Sequence, residues 1–291
     1  MPNFDFFLIQ FLNGLASGVS LFLLAAGLSI IFGLMDVMNL AHGSFYMLGA
    51  YVGFSILRAT QNFWLSLLLA PILVGILGFA VERALLRPLK GRGHLDQVLL
   101  TFGLALIAAD VVRAVPGWGA QVRAFPPPPE LAMSIPLGAG QYPVYRLFAI
   151  AVGLLLALAL TLLIGRTQVG AIVRAGVADI EMVSGLGINI SLVFSLVFAV
   201  GAALAAFGGV MTAPITSLES VMDARALIGA LIVVVVGGLG TLRGAFWGSL
   251  LIGELDTFGR GLFPDFAQFS IYVIMAAILL LKPAGLFGRK T

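Results

Sequence analysis

The sequence predicts an all-α fold, a polytopic transmembrane helical bundle of about eight spans with interrupted helices. Three observations carry this. Of the 291 residues, 60% are hydrophobic and 10% charged, whereas a soluble domain carries about 25% charged residues. Apolar runs repeatedly approach the ~20 residues that cross a bilayer. Two junctions between runs hold glycine and polar side chains instead of a plain loop. The 36 glycines fit this class, because glycine is commoner in spanning helices than in soluble ones. Residues 1–291 read as one transmembrane domain. The absence of cysteine excludes disulfides and thiolate metal sites. The net charge of +3 is spread over loops and reads as topology, not nucleic-acid binding. No cleavable signal is read, since the first basic residue is Arg58.

The elements follow in order. Phe4, Phe6 and Phe7 give an interfacial start, and the first span covers about residues 11–32, with Gly14 and Gly18 at a spacing that permits close helix contact. A polar junction precedes a short apolar stretch at about 44–57, followed by a span at about 63–86. Residues 82–94 form the most basic segment, ended by Pro88 and glycines, and the next span is about 98–115. Residues 116–145, with Pro126–Pro129, read as an extended external loop of polyproline II character, serving as a stiff spacer or as a ligand for a partner's aromatic groove. A clean span at about 147–164 leads to a charged loop at 165–190. The span at about 192–213 contains the small-residue run Gly201–Gly209, suited to tight packing. Spans at about 226–236, 245–255 and 269–281 complete the chain, and the tail is basic.

Charge sets the orientation. Alternation puts Arg83, Arg87, Lys90, Arg92, Arg166, Arg174, Arg243, Lys282, Arg289 and Lys290 on one side. Arg58, Arg113, Arg123, Arg146, Arg225 and Arg260 fall on the other. The positive-inside rule makes the richer side cytoplasmic, with the N-terminus outside and the C-terminus inside. The junctions at 36–44 and 237–244 then occupy similar places in two parallel halves, as paired interruptions in a transporter do.

The stretch from Phe32 to Tyr51 organises the rest. It places Asp36, Asn39 and His42 within seven residues, followed by Gly43 and Ser44. A charge at the centre of a spanning helix costs about 2.5–3.5 kcal/mol, so polar groups there face a protein interior or a water-filled path. Asp36 also reads as a turn residue and His42 as a satisfied interior histidine. A second informative stretch lies in the loop 165–190. Val177, Ile180 and Val183 recur three apart and predict a short helix with one apolar edge. Arg174, Asp179 and Glu181 stay available, and Gly185 and Gly187 end the helix. Such a helix suits docking into a partner's groove, and equally a connector lying on the membrane surface.

Asn39-Leu40-Ala41-His42-Gly43-Ser44, with Met47-Leu48-Gly49-Ala50-Tyr51 after it, resembles the signature of the LivH-type permeases. These are membrane subunits of bacterial ABC importers for branched-chain amino acids. Arg174-Ala175, Asp179 and Gly187-Ile188-Asn189 are similar to that family's coupling loop in order and spacing. Glu82-Arg83 with Arg87-Pro88, Gly237-Gly238-Leu239-Gly240 with Gly244, and Lys282-Pro283-Ala284-Gly285-Leu286-Phe287-Gly288-Arg289 extend the resemblance over nearly the whole chain. Val183 departs from it, standing where a smaller residue is expected, and Pro126–Pro129 carry nothing over.

The resemblance implies a multi-pass protein of the bacterial inner membrane. It implies two cytoplasmic ABC ATPases, a second homologous permease or a copy of itself, and an external substrate-binding protein. Solutes across the family include branched-chain amino acids, urea, amides and small organic acids. Asn39, His42, Gly43, Ser44, Gly237, Gly238 and Gly240 are the expected substrate pathway. Arg174, Ala175, Asp179, Glu181 and Gly187 are the expected ATPase contact. The three lysines, Lys90, Lys282 and Lys290, lie outside any P-loop, so ATP is expected on the partners and no cofactor on this chain. With two histidines and no nucleophile elbow, no metal site or catalytic residue is assigned. The alternative is an ion-gradient-driven secondary transporter using Asp36, Asp110, Glu254 and Asp256 as coupling carboxylates.

Overall fold

The computed structural model describes residues 4–89, 91–119, 121–138 and 140–288. Lys90, Arg289 and Lys290 of the charge set expected on the cytoplasmic side therefore lie outside the described residues.

The apolar runs become helices whose ends are set by local chemistry. Helix α1 (Phe4–Met35) meets no charge between Asp5 and Asp36. Its 32 residues reach about 48 Å, well beyond the ~30 Å hydrocarbon core. Asp36 adopts φ 52° and stops it. After five further residues α2 (His42–Thr60) begins, and Gln61 closes it in the left-handed region. Asn62 caps α3 (Phe63–Val81), its side chain accepting from the Leu65 amide. Helix α3 runs on through a π-helical turn (Glu82–Leu86) and a 3₁₀ turn (Arg87–Leu89). Helix α4 spans His94–Ala114. Strands β1 (Ser134–Leu137) and β2 (Gly140–Pro143) pair antiparallel. Helices α5 (Val144–Arg166), α6 (Gln168–Ala178), α7 (Ile180–Gly185) and α8 (Ile190–Thr216) follow. Helices α9 (Met222–Gly237), α10 (Leu242–Leu262) and α11 (Ala267–Leu281) complete the fold.

Small residues let α1, α2, α8 and α10 share the centre. A Cβ at Gly27 would stand 2.6 Å from the Gly201 carbonyl oxygen, and one at Gly49 would stand 2.3 Å from the Ala206 Cα. Ala202, Ala205 and Ala206 are wholly buried, so the small-residue run of α8 packs as expected. With lipid outside, close backbone approach replaces hydrophobic expulsion as the source of helix association.

The span count is lower than expected by length and hydropathy. Among the described residues, 5 helices are long and apolar enough to cross a membrane, or 6 if α9 and α10, bent by 116° at their junction, make one span. Helix α2 is not among them: His42, Ser44, Tyr46, Tyr51, Ser55 and Arg58 interrupt its apolar residues, and His42 and Ser44 are placed in protein rather than in lipid. The apolar part of α11 is short.

Connections collect at two ends. One end joins Asp36 to His94 at 3.7 Å. There α6 rests on the end of α1, with Gly176 close to Leu34, and the tail sits against Gly238. The other end joins Ser55 to Trp118, Arg123 to Leu218 and Asn13 to Arg146. The expected stiff spacer is folded onto this second end. Pro128 has extended dihedrals (φ −61°, ψ 145°), but Phe125 is buried against Phe54 and Phe63 and Trp118 stacks on Tyr51. Aromatic burial and the β1–β2 hairpin outweigh the stiffness of the prolines.

Candidate translocation site

The polar stretch dips into the bundle. The chain leaves α1 at Met35, then turns back, so that α2 begins beside Leu24 and Gly27. That return covers eleven residues of α1, on the order of 16 Å along its axis. Non-helical backbone at such depth needs internal partners. Thr101 of α4 supplies them, its hydroxyl accepting from the Leu40 amide (3.2 Å) and lying 3.4 Å from the Met38 carbonyl oxygen. Asn39 Oδ1 accepts from the Ala41 amide at 3.1 Å and turns the chain into α2. No periodicity marks Thr101 in the sequence; its role exists only through contacts across 61 residues.

His42 is fully buried, and its Nε2 donates to the Leu24 carbonyl oxygen at 3.0 Å. A carbonyl only accepts, so the hydrogen is on Nε2. Asn39 and Ser44 are buried beside it. Among the described residues, His42 Nδ1, Asn39 Nδ2, Ser44 Oγ and Ser29 Oγ have no hydrogen-bond partner. Gly43 has a packing reason: a Cβ there would meet the Asp223 carbonyl oxygen at 2.3 Å. Asn39, His42, Gly43 and Ser44 thus form a closed septum with Ala25–Leu28 of α1 and α8, and neither cavity described below includes them.

A cavity of ≈ 550 Å³ opens at the end bearing the hairpin. Its wall combines Asn13, Ser17, Ser20, Tyr46 and Thr212 with the aliphatic Leu24, Ile232 and Ile252. Sequence reading missed these, because they come from α1, α2, α8, α9 and α10 and share no motif. A second cavity, of ≈ 610 Å³, opens at the other end. Ser29, Gly33 and Asp36 of α1 line it together with Arg174 of α6 and Gly240 of the α9–α10 turn. The structure thus brings one expected coupling residue and one expected pathway residue to the same space.

The α9–α10 turn is built from glycine. Gly238 and Gly240 have φ of 111° and 71°, which side chains resist. A Cβ at Gly237 would stand 2.1 Å from the Gly244 carbonyl oxygen. The tail closes this turn, its Leu286 and Phe287 amides donating to the Val236 (2.8 Å) and Gly237 (2.9 Å) carbonyls. These are carbonyls that a helix end leaves unpaired. The turn also differs in build from the 36–41 segment, which has Asp36 at φ 52° and a turn at Leu40–Ala41.

The loop 165–190 is two helices instead of one. Asp179 is the break: its Oδ1 accepts from the Met182 amide at 2.9 Å and caps α7. The expected apolar edge is therefore split. Val183 is buried, while Val177 and Ile180 are exposed together with Met182 and Leu186. Arg174, Ala175, Asp179, Glu181 and Gly187 are all exposed, and Gly187 takes φ 81° beyond α7.

Glu82 corrects a further expectation. Read as part of a solvent loop, it is fully buried in the π-helical turn, where Oε2 accepts from the Ser195 hydroxyl of α8. The four carboxylates of the ion-driven alternative are not brought together. Asp36 is exposed near His94, Asp110 is exposed beside Arg113, Asp256 pairs with Arg260, and Glu254 lies against Gly14.

The family model for the branched-chain amino acid transport system permease component matches residues 10–281. The chain belongs to this permease family. The permease is 29% identical to the high-affinity branched-chain amino acid transport system permease protein BraD of Pseudomonas aeruginosa, covering 99% of this chain and 98% of that one. It is 29% identical to the LivH permease protein of Escherichia coli K12, over 99% and 97% of the two chains. A probable LivH permease of Methanocaldococcus jannaschii is 25% identical over 92% and 88%. No solved structure matches the permease.

Proposed function

We propose that this permease moves branched-chain amino acids inward across a bacterial inner membrane, with its N-terminus outside and its C-terminus in the cytoplasm. Its partners in this reading are two cytoplasmic ABC ATPases, a second homologous permease or its own copy, and an external binding protein. The observation that carries the reading is the closed septum of Ala25–Leu28 and Asn39–Ser44 between two cavities at opposite ends of the bundle. An alternating-access transporter needs a barrier of this kind. Asn39, His42 and Ser44 are the polar atoms a solute meets as the septum opens, and Gly43, Gly237, Gly238 and Gly240 are the close contacts that shift.

The exposed α6–α7 unit supports the ATPase contact. It offers Met182 and Leu186 with Arg174, Asp179 and Glu181 around them, and α6 touches the end of α1 that borders the inner cavity. Movement of an ATPase dimer would therefore reach α1, and through Gly33 the α9–α10 turn at Gly240. Gentle extraction of the protein from native membranes, followed by mass spectrometry of what stays bound, tests the reading. Two P-loop ATPase chains are expected with a second multi-span chain or a second copy. Repeated extraction without any ATPase would favour an ion-driven transporter instead.

A further inference from the structure

The segment after α11 is seated on the α9–α10 turn backbone to backbone. Beyond the two amide bonds to Val236 and Gly237, Gly285 takes φ 79° and brings the tail onto the turn. A Cβ at Gly285 would stand 2.7 Å from the Gly238 nitrogen, and one at Gly238 would stand 2.5 Å from the Gly288 nitrogen. The Phe287 side chain is 45% exposed, so its amide makes the hold and its ring contributes little. On its other side the turn meets α1. A Cβ at Gly33 would stand 2.9 Å from the Gly240 carbonyl oxygen. Glycines at positive φ leave such a turn wide conformational freedom. The Thr241 hydroxyl, donating to the Gly238 carbonyl at 2.8 Å, fixes it from within, and α1 and the tail clamp it from either side. The clamped piece is also a wall: Leu239, Gly240 and Thr241 line the cavity opposite the hairpin together with Ser29, Gly33 and Asp36. Gly176 of α6 lies against Leu34, next to Gly33, so α6, α1, the turn and the tail form one line of close contacts.

We propose that Lys282–Gly288 is a positioning strap for this wall. Through the Leu286 and Phe287 amides it holds the α9–α10 turn against Gly33, and it acts only through the turn. The consequence for transport rests on the importer reading and deepens it. A turn held on both sides follows α1 when α1 moves, because packed elements pass on displacement. A turn freed on the tail side lags, and ATP is then hydrolysed without a matching movement of solute.

The chain has no cysteine, so one introduced thiol is labelled alone. Ser29 is 1% exposed, lies one helical turn from Gly33 and lines the same cavity. The first measurement is the rate of maleimide labelling at Ser29→Cys in the purified importer in nanodiscs. The second, without that cysteine, is radiolabelled leucine accumulated per ATP hydrolysed in proteoliposomes with the binding protein. Phe287→Pro deletes the amide donor and should speed labelling and lower the ratio, each about fivefold, the usual worth of one hydrogen bond. Phe287→Ala keeps the amide and should match wild type in both. A chain ended at Ala284 lacks the strap outright and should behave as Phe287→Pro does, which covers misfolding caused by the proline. Wild-type labelling and ratio in both strapless variants overturn the proposal, as does faster labelling with an unchanged ratio. An equal fall of the ratio in Phe287→Ala overturns it too, since the ring would then be the contact. Loss of the ATPases from the complex in parallel with the ratio would make the tail a docking contact instead of a strap. A wild-type complex that hydrolyses ATP and accumulates no leucine removes the importer reading, while the labelling rates still decide whether the tail holds the turn.

Discussion

His42 Nε2 lies 3.0 Å from the Leu24 carbonyl oxygen, so the first residue of α2 is fastened to the middle of α1. A Cβ at Gly27 would stand 3.0 Å from the same ring, so the absence of a side chain there leaves the imidazole its place. Replacing it by alanine removes both the bond and the filling of the septum. His42→Ala should destabilise the protein by about 2 kcal/mol and lower leucine uptake. His42→Gln keeps a donor and should lose less. An unfolding midpoint in detergent that does not move in His42→Ala would deny the ring its sealing role.

The contact between α1 and α8 leaves no space for a side chain at Gly27, where the Gly201 carbonyl oxygen is 2.6 Å from a Cβ position. Gly27→Val should cost about 1–3 kcal/mol through overpacking. Gly185 has open space around it, so Gly185→Ala should change stability by no more than about 0.5 kcal/mol. Equal thermal shifts for the two variants would contradict this packing.

Ser195 is the partner of a buried carboxyl, and Glu82 Oε1 already has no partner among the described residues. Ser195→Ala should destabilise by about 1–3 kcal/mol. Combining it with Glu82→Met should be less damaging than the two changes added, with a coupling of at least about 0.5 kcal/mol. A double-mutant cycle on thermal unfolding reads this directly, and strict additivity would show that the two groups do not interact.

Asp179 holds the start of α7 through the Met182 amide at 2.9 Å. Asp179→Asn retains an acceptor there and should leave ATPase capture unchanged. Asp179→Lys loses the cap, worth about 1 kcal/mol, and places a cation at a helix N-terminus, which the helix dipole disfavours. Glu181 is exposed in the first turn of α7 and makes no cap, so Glu181→Lys keeps the cap while reversing the charge at the helix N-terminus. Both lysine variants should reduce co-purification of the ATPases. Wild-type capture by both would move the ATPase contact away from α6–α7.

Much of this protein was legible in its sequence because the signals were local. Hydropathy along ~20 residues defines a run that belongs in lipid. The spans expected at 63–86, 98–115, 147–164 and 192–213 correspond to α3, α4, α5 and α8. The polar stretch from Asp36 to Ser44 stood out because such residues are costly among apolar ones, and it does interrupt the bundle between α1 and α2. What no local signal carries is depth and partnership. That His42 reaches Leu24, that Thr101 supports Leu40, and that Glu82 leaves the basic loop to meet Ser195 depend on contacts across 18, 61 and 113 residues. The loop around Asp179 shows the same division on a smaller scale. A period of three predicted one helix, but a side-chain cap split it in two. The cavity at the hairpin end was invisible for the same reason, since Asn13, Arg146 and Asp256 belong to α1, α5 and α10 and line it together only when those helices pack. The sequence by itself determined that the chain is a membrane bundle and which segments are unusual. Packing decided which polar atoms face one another, because that depends on how closely glycine and alanine let the helices approach.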